Sequence, residues 1–286
     1  MGTFRFGKVA KQTKLKSGEA VSKSHFDFGE NWREFSANHL SAERIEEARR
    51  EFRILTAGLD FEGATFLDVG FGQGFGSLFA EEMGAKVAGI DSNPKCLEAV
   101  EFSRKAFPND VGRNLDLAVG SILSVQDVER LRAKTVCGYD VIHAWGVLHH
   151  TGKMTEAFTN CANLLCDEGH LIVAIYNAHW SSPFWKQVKK LYCLSGRKTR
   201  KAMIWFFAPL VAGAKVLVKK GNPFNKERGM DFMVDLVDWV GGYPYEWATV
   251  DQIVDLGEKH DLQIVRVIRS SVPTGCNEFV FRRKLR

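Results

Sequence analysis

Four glycines at alternate positions, Gly70, Gly72, Gly74 and Gly76, follow an apolar run that carries Asp68 two residues before the first of them. A turn of this kind lets the backbone approach a ligand closely where a buried strand hands over to a helix. The dinucleotide spacing G-x-G-x-x-G is absent, because Phe75 or Ser77 stands where the third glycine is needed. An acid before the turn repels a pyrophosphate but suits a cationic ligand end. The α-ammonium of S-adenosylmethionine is such an end, and its carboxylate can take backbone N–H groups of the turn. Asp91 ends the next apolar run, where a carboxylate accepts the two vicinal hydroxyls of a ribose. That role serves nicotinamide dinucleotides and S-adenosylmethionine equally.

Proton-transfer chemistry concentrates further along. His149 and His150 close the segment "HAWGVLHHTG", and imidazole titrates near neutral pH. Either histidine can serve as the base that takes a proton from an acceptor hydroxyl, or as an orienting or packing residue. His143, inside the apolar run, reads as a satisfied core histidine. Trp145 reads either as a border of the adenosyl or acceptor site or as core. Tyr176, Asn177 and His179 follow the next apolar run, with Tyr176 placed to line an acceptor pocket and to join the catalytic group. In "DWVGGYPYEWA", Gly241, Gly242 and Pro244 define a turn, and Tyr243, Tyr245, Glu246 and Trp247 supply stacking and hydrogen-bonding groups. That loop reads as a substrate lid, or as packing against Phe26, Phe28, Trp32 and Phe35, which otherwise form the opposite wall. The six cysteines show no C-x-x-C pair or metal-like spacing with histidine, so no metal is expected and the thiols read as reduced.

The elements that must hold these residues alternate from residue 64 onward. Apolar strands are predicted at "TFLDVG", "KVAGID", "LDLAVG", "YDVIHAW" and "HLIVAIY", with amphipathic helices between them. The fourth of these helices is expected to run through "TEAFTNCANLLCDEG" to Gly169. Such alternation means a doubly wound α/β sheet with right-handed crossovers. Ser41 is a plausible N-cap for a preceding helix with Ile45, Ala48, Phe52 and Leu55 on one face. Residues 178–249 hold two or three helical segments, and a helix and two strands close the chain. The expected organisation is a flexible basic tail at 1–24, an aromatic and helical cap at 25–60 and a cofactor-binding core at 61–177. A helical insertion or substrate lid at 178–249 and a closing helix and strand pair at 250–286 complete it.

The stretches "DVGFGQGFG", "GID", "YDVIHAWGVLHH" and "LLCDEGHLIVAIYN" resemble, in order and spacing, the motifs of class I S-adenosylmethionine-dependent methyltransferases. Within that group the chain is similar to the bacterial O-methyltransferases of ubiquinone biosynthesis. The resemblance implies a Rossmann-like, seven-stranded sheet of order 3-2-1-4-5-7-6 with an antiparallel seventh strand. It also implies cofactor contacts at Asp68, Gly70, Phe71, Gly72, Gly74, Asp91, Ser92 and Trp145. The family's acid after the third strand is absent from "VGSILS", so Gly120, Ser121 and Ile122 are left to frame the adenine. Trp32, Tyr176, Asn177, His179, Tyr243, Tyr245 and Glu246 are the substrate-side expectations.

Composition narrows the partners. The chain has 286 residues, 45% hydrophobic and 26% charged with a net charge of +5, as for a globular domain with a sizeable core. No secretory leader is legible at the N-terminus, and with the reduced thiols this points to the cytoplasm. The uncharged run 202–214 falls short of the roughly 20 residues that span a bilayer. It is flanked by Arg197, Lys198, Arg200 and Lys201 on one side and Lys215, Lys219 and Lys220 on the other. This pattern fits a peripheral membrane contact, a homodimer contact or a buried lid. The leading functional expectation is O-methylation of a small-molecule, glycan or lipid-linked acceptor. Nucleic-acid methylation is the alternative, disfavoured because "WGVLHH" lacks the Asn/Asp-Pro-Pro-aromatic pattern of base-amine methylation. A dehydrogenase lacks its fingerprint, and a non-catalytic binding module has no support in the intact glycine turn.

Overall fold

In the computed structural model, seven strands join in one sheet of order β3-β2-β1-β4-β5-β7-β6. They are β1 (Thr65–Val69), β2 (Lys86–Asp91), β3 (Asp116–Val119), β4 (Tyr139–Trp145), β5 (Leu165–Tyr176), β6 (Leu262–Ile268) and β7 (Cys276–Arg283). Strands β1 to β5 pair in parallel, whereas β7 runs antiparallel to both β5 and β6. The expected order and the antiparallel seventh strand are both present. Residues 25–219 and 232–284 are described. The expected basic tail at 1–24 and residues 220–231 of the expected insertion, Lys220 included, fall outside them.

Ten α-helices accompany the sheet among the described residues: α1 (Phe28–Asn38), α2 (Ala42–Leu55), α3 (Phe75–Glu82), α4 (Lys95–Arg104) and α5 (Val125–Arg132), then α6 (Met154–Asn163), α7 (Ser182–Leu194), α8 (Arg197–Lys219), α9 (Phe232–Gly241) and α10 (Val250–Glu258). Alternate strand residues face opposite sides. Leu67, Val69, Ile142, Leu171 and Val173 form one core with Val128 and Leu131 of α5, Phe158 of α6 and Ile253 of α10. Phe66, Val87, Val141 and Ile172 form the other with Ile45, Phe52 and Leu55 of α2 and Leu78 and Phe79 of α3. Each large side chain buried this way contributes about 1.5–3 kcal/mol. As expected, Ser41 caps α2, its hydroxyl accepting from the Arg44 amide at 3.3 Å.

The helix expected to reach Gly169 ends at Asn163, and its last residues belong to β5 instead. Tyr139 pairs with Leu165, and the register then skips so that Val141 pairs with His170. Glu168 takes up the slack at φ +63. Cross-strand pairing overrides helix propensity at this boundary. The aromatic segment read without a secondary structure forms α1, capped by Asp27, whose carboxylate accepts from the Glu30 amide at 3.1 Å. Between β5 and α10, helices α7, α8 and α9 share a separate apolar cluster of Tyr192, Cys193, Ile204, Phe207, Leu236 and Val240.

Candidate active site

Helix α3 begins where the glycine turn ends, with Gly74 as its N-cap at φ +81. Gly70 and Gly72 also have positive φ, at +70 and +52. A side chain at position 70 would meet Val147 at 2.4 Å, and one at 74 would meet Val100 at 2.6 Å. These glycines therefore answer both backbone conformation and close packing. Asp91, at the tip of β2, accepts from the Gly72 amide at 3.0 Å and the Asn93 amide at 2.8 Å. Burial pushes its carboxyl upward, while these two amides pull the other way. Each oxygen keeps lone-pair capacity beyond these bonds. A glycine-rich turn beside such a carboxylate fits the amino-acid and ribose parts of S-adenosylmethionine. Phe71 packs into a small cluster with Cys96 and Val100, so its side chain supports the turn from behind.

Asp68 is placed differently from the sequence expectation. It is buried, with Ser77 donating to one oxygen at 2.7 Å and His143 Nδ1 2.9 Å from the other. The carboxylate thus locks the first turn of α3 to β4, and His143 is the satisfied core histidine anticipated. Adenine-side expectations also shift. Ile122 is buried in the core beside Leu67 and Ile90 rather than displayed in the cleft. The Ser121 amide donates to Asp127 at 2.9 Å and the Ser121 hydroxyl accepts from the Leu123 amide at 3.2 Å. An acid does therefore stand beside this loop, but it comes from α5, seven residues after Gly120. Ser92 is exposed on the turn after β2.

Helix α1 crosses the front of both half-sites. On the cofactor side, the Trp32 indole lies 3.2 Å from where a Cβ on Gly72 would sit. Asp27 accepts from the Asn93 side chain at 2.7 Å and from Lys95 at 2.6 Å. Trp32 thus sits over the glycine turn, not on the acceptor wall expected of it. On the other side, the Phe28 ring lies 4.7 Å from that of His150, and Asn31 donates to Asp238 at 3.1 Å. The Phe26 amide donates to the Tyr243 carbonyl at 3.0 Å.

The acceptor-side residues form a ring cluster at the C-terminal end of the sheet, on a 3-10 turn (Leu148–His150) after β4 and on the end of β5. His149 lies 4.2 Å from Tyr176 and 4.4 Å from His150, centroid to centroid. Tyr245 closes the group 4.9 Å from Tyr176. A cleft of about 360 Å³ opens beside it, lined by Thr151, Gly152, Lys186, Tyr243, Pro244 and Glu246 among others. Other expected residues serve the scaffold. Asn177 donates to Pro273 at 3.0 Å and accepts from Asn277 at 3.1 Å. Glu246 accepts from the Met154 amide at 3.1 Å, capping α6. His179 pairs with Ser181 at 2.7 Å before α7, and Trp145 donates to Glu278 of β7 at 3.0 Å.

Residues 41–209 match the family described as Methyltransferase domain. The chain belongs to that family. Over 123 residues the chain is 30% identical to a ubiquinone biosynthesis O-methyltransferase of Xanthomonas oryzae pv. oryzae, covering 43% of this chain and 47% of that protein. Over 122 residues it is 33% identical to a tRNA U34 carboxymethyltransferase of Aeromonas hydrophila subsp. hydrophila, covering 42% of this chain and 34% of the other. These matches thus span half or less of the curated relatives' lengths. Magnesium protoporphyrin IX methyltransferase from Synechocystis PCC 6803, solved with bound S-adenosylmethionine, has a TM-score of 0.53 at 13% identity, over 94% of this chain and all of that one. This likeness concerns the fold. S-adenosylmethionine is the methyl donor of this domain.

In this methyltransferase domain the ring cluster beyond β4 and β5 is rich in groups moved off their ordinary pKa. Burial pushes His149 well below the usual imidazole range and His150 down to about 3, with the Lys189 charge adding to both. The Nδ1 of His149 is buried without a partner. His150 Nδ1 donates to the Pro244 carbonyl at 2.7 Å, since a carbonyl only accepts. Two ionisable residues were not singled out from the sequence. Lys189 on α7 is 0% exposed, donates to the Trp239 carbonyl and lies over the rings of Tyr245 and Trp239 at 4.8 and 4.9 Å. Burial brings its ammonium down to about 7, although Asp238 pulls it back up. Asp238 on α9 is pushed up to about 7, by burial first and by Asp235 second. Lys189 is thus buried on α7, with half-buried Asp238 on α9 as the charge that acts on it.

Proposed function

We propose that the chain is an O-methyltransferase acting on a small-molecule, glycan or lipid-linked acceptor. The observation that carries this reading is the His150–Pro244 hydrogen bond. With the proton fixed on Nδ1, the Nε2 of a neutral imidazole holds a lone pair ready to accept from an acceptor hydroxyl. When bound, the cofactor supplies a methyl group already activated on a sulfonium, so the chain mainly aligns the acceptor and excludes water. A histidine held near pKa 3 is a weak Brønsted base but a constant hydrogen-bond acceptor across physiological pH. In this reading His150 orients the acceptor oxygen, and Tyr176, His149 and Tyr245 wall the pocket. Asp91 and the turn Gly70–Gly74 hold the cofactor.

Segment 242–249 and helices α7 to α9 act as the acceptor-binding lid in this reading, over a core at 61–177. A second reading, methylation of a nucleic acid, draws support from the tRNA-modifying relative. The deciding experiment incubates the protein with radiolabelled S-adenosylmethionine and cell extract sorted into lipid, glycan, small-molecule and RNA pools. Label in the first three, stable to conditions that cleave esters but lost with His150→Ala, supports the proposal. Label confined to RNA overturns it.

A further inference from the structure

From Ala202 to Gly213, helix α8 is apolar on every side. Its inner side places Ile204 and Phe207 in the cluster shared with α7 and α9, backed by Met203, Ala208 and Val211. Its outer side repeats Ala202, Trp205, Phe206, Pro209, Leu210 and Gly213 at helical spacing, and all six are exposed. Trp205 is 75% exposed, Phe206 64% and Leu210 55%. A helix hydrophobic all round belongs inside a protein or against lipid, and here only the inner side is covered by described residues. The last turn of α7, which leads directly into α8, adds exposed Leu191 and Leu194.

Charge says what covers this face. From Trp180 to Lys219 the sequence contains no aspartate or glutamate and nine lysines and arginines. Lys190, Arg197, Lys198 and Lys201 are exposed. Arg197 and Lys201 fall two and one turns before Trp205, on the same side of the helix. A two-fold dimer through this face would bring the same basic cluster towards its own copy, and like charges would oppose it. An anionic bilayer answers both the aromatic and the basic residues. Aromatic side chains favour the headgroup level, and lysines and arginines around an apolar helix face are drawn to acidic lipid.

We infer that the outer face of α8, with the last turn of α7, docks on an anionic lipid surface, Trp205, Phe206 and Leu210 entering the headgroup–acyl boundary and Lys190, Arg197, Lys198 and Lys201 lying over acidic headgroups. No helix among the described residues is long and apolar enough to cross a membrane, so this is a contact in the plane of the interface. The inference stands apart from the acceptor reading, because binding to lipid needs no methyl transfer.

Flotation of the full chain with vesicles of phosphatidylcholine, alone or mixed with phosphatidylglycerol, tests it. The protein floats with the mixed vesicles at low salt and is released at high salt. The variant W205S/F206S/L210S loses at least about tenfold in bound fraction while keeping its Tm and its affinity for S-adenosylhomocysteine. The variant K190Q/R197Q/K198Q/K201Q loses the preference for phosphatidylglycerol, and it decides the matter should the first variant misfold. Absence of wild-type flotation with either vesicle overturns the inference. So does undiminished flotation of both variants, or a sedimenting dimer that the serine variant turns into monomer.

Discussion

His150 donates from Nδ1 to the carbonyl oxygen of Pro244 at 2.7 Å, across 94 residues of sequence. The bond joins the turn after β4 to the loop after α9, and the Glu246 amide returns to the His149 carbonyl at 2.9 Å. One imidazole is thereby fixed in tautomer and in position, and the loop is fixed with it.

Replacing His150 by alanine is expected to lower kcat by about 100-fold, the bottom of the range for a proton-handling group. Calorimetric affinity for S-adenosylhomocysteine stays nearly constant. Since burial holds this imidazole near pKa 3, the pH–rate profile shows no limb near 6.5 arising from it. A limb there that vanishes with the substitution would contradict the orienting role.

The same shift makes stability depend on pH. The folded pKa of His150, about 3, lies below the ordinary 6.5, so between those values the unfolded chain holds the extra proton. Stability conferred by neutral His150 is complete above about pH 6.5 and is lost as pH falls through that window, by about 1 kcal/mol per pH unit. His149 acts in the same direction. Urea midpoints measured across acid pH should show this slope, and His150→Phe should flatten part of it.

Asp91→Ala should weaken S-adenosylhomocysteine binding about 10–100-fold, as loss of charge-assisted hydrogen bonds worth about 1.5–3 kcal/mol requires. It also frees the Gly72 amide. Asp91→Asn keeps one acceptor oxygen and should recover part of the loss in calorimetry.

Lys189→Met separates stability from function. Removing one member of a buried polar set leaves its partners uncompensated, here the Trp239 carbonyl and the Asp238 carboxyl, and typically costs about 3–5 kcal/mol. The folded pKa of Lys189, about 7, lies below its ordinary 10.5, so stability rises with pH between these values in the parent chain. The methionine variant should melt lower at neutral pH, lose that rise and turn over more slowly. A lower Tm with unchanged kcat would make Lys189 a purely structural link to the Trp239 carbonyl.

Most of the sheet was legible because its strands are short apolar runs between turn signals, and the glycine turn announced its own φ values. The end of α6 was not, because pairing of Leu165 with Tyr139 depends on a partner 26 residues away in sequence. Among site residues, Asp91 lies beside the glycine turn, and the rings of His150 and Tyr176 lie 5.5 Å apart after β4 and β5. Asp68 instead meets Ser77 and His143, and Trp32 lies over the glycine turn. Whether an acid beside a turn faces a ligand or a buried histidine is settled by tertiary packing, and periodicity carries no trace of it. Lys189 and Asp238 were missed for a related reason. On helical spacing alone, a charge reads as solvent-facing, and only the packing of α7 against α9 shows Lys189 enclosed and Asp238 half-buried.

Helix α1 touches the glycine turn through Trp32 and the acceptor cluster through Phe28 and Asn31. One rigid rod resting on both places gives the two ligands a shared thermodynamic account of its position. Whatever one ligand does to the free energy of seating that rod, the other experiences. A ligand that shifts the seating of this rod changes the affinity for the other ligand, by a single factor that is the same in both directions.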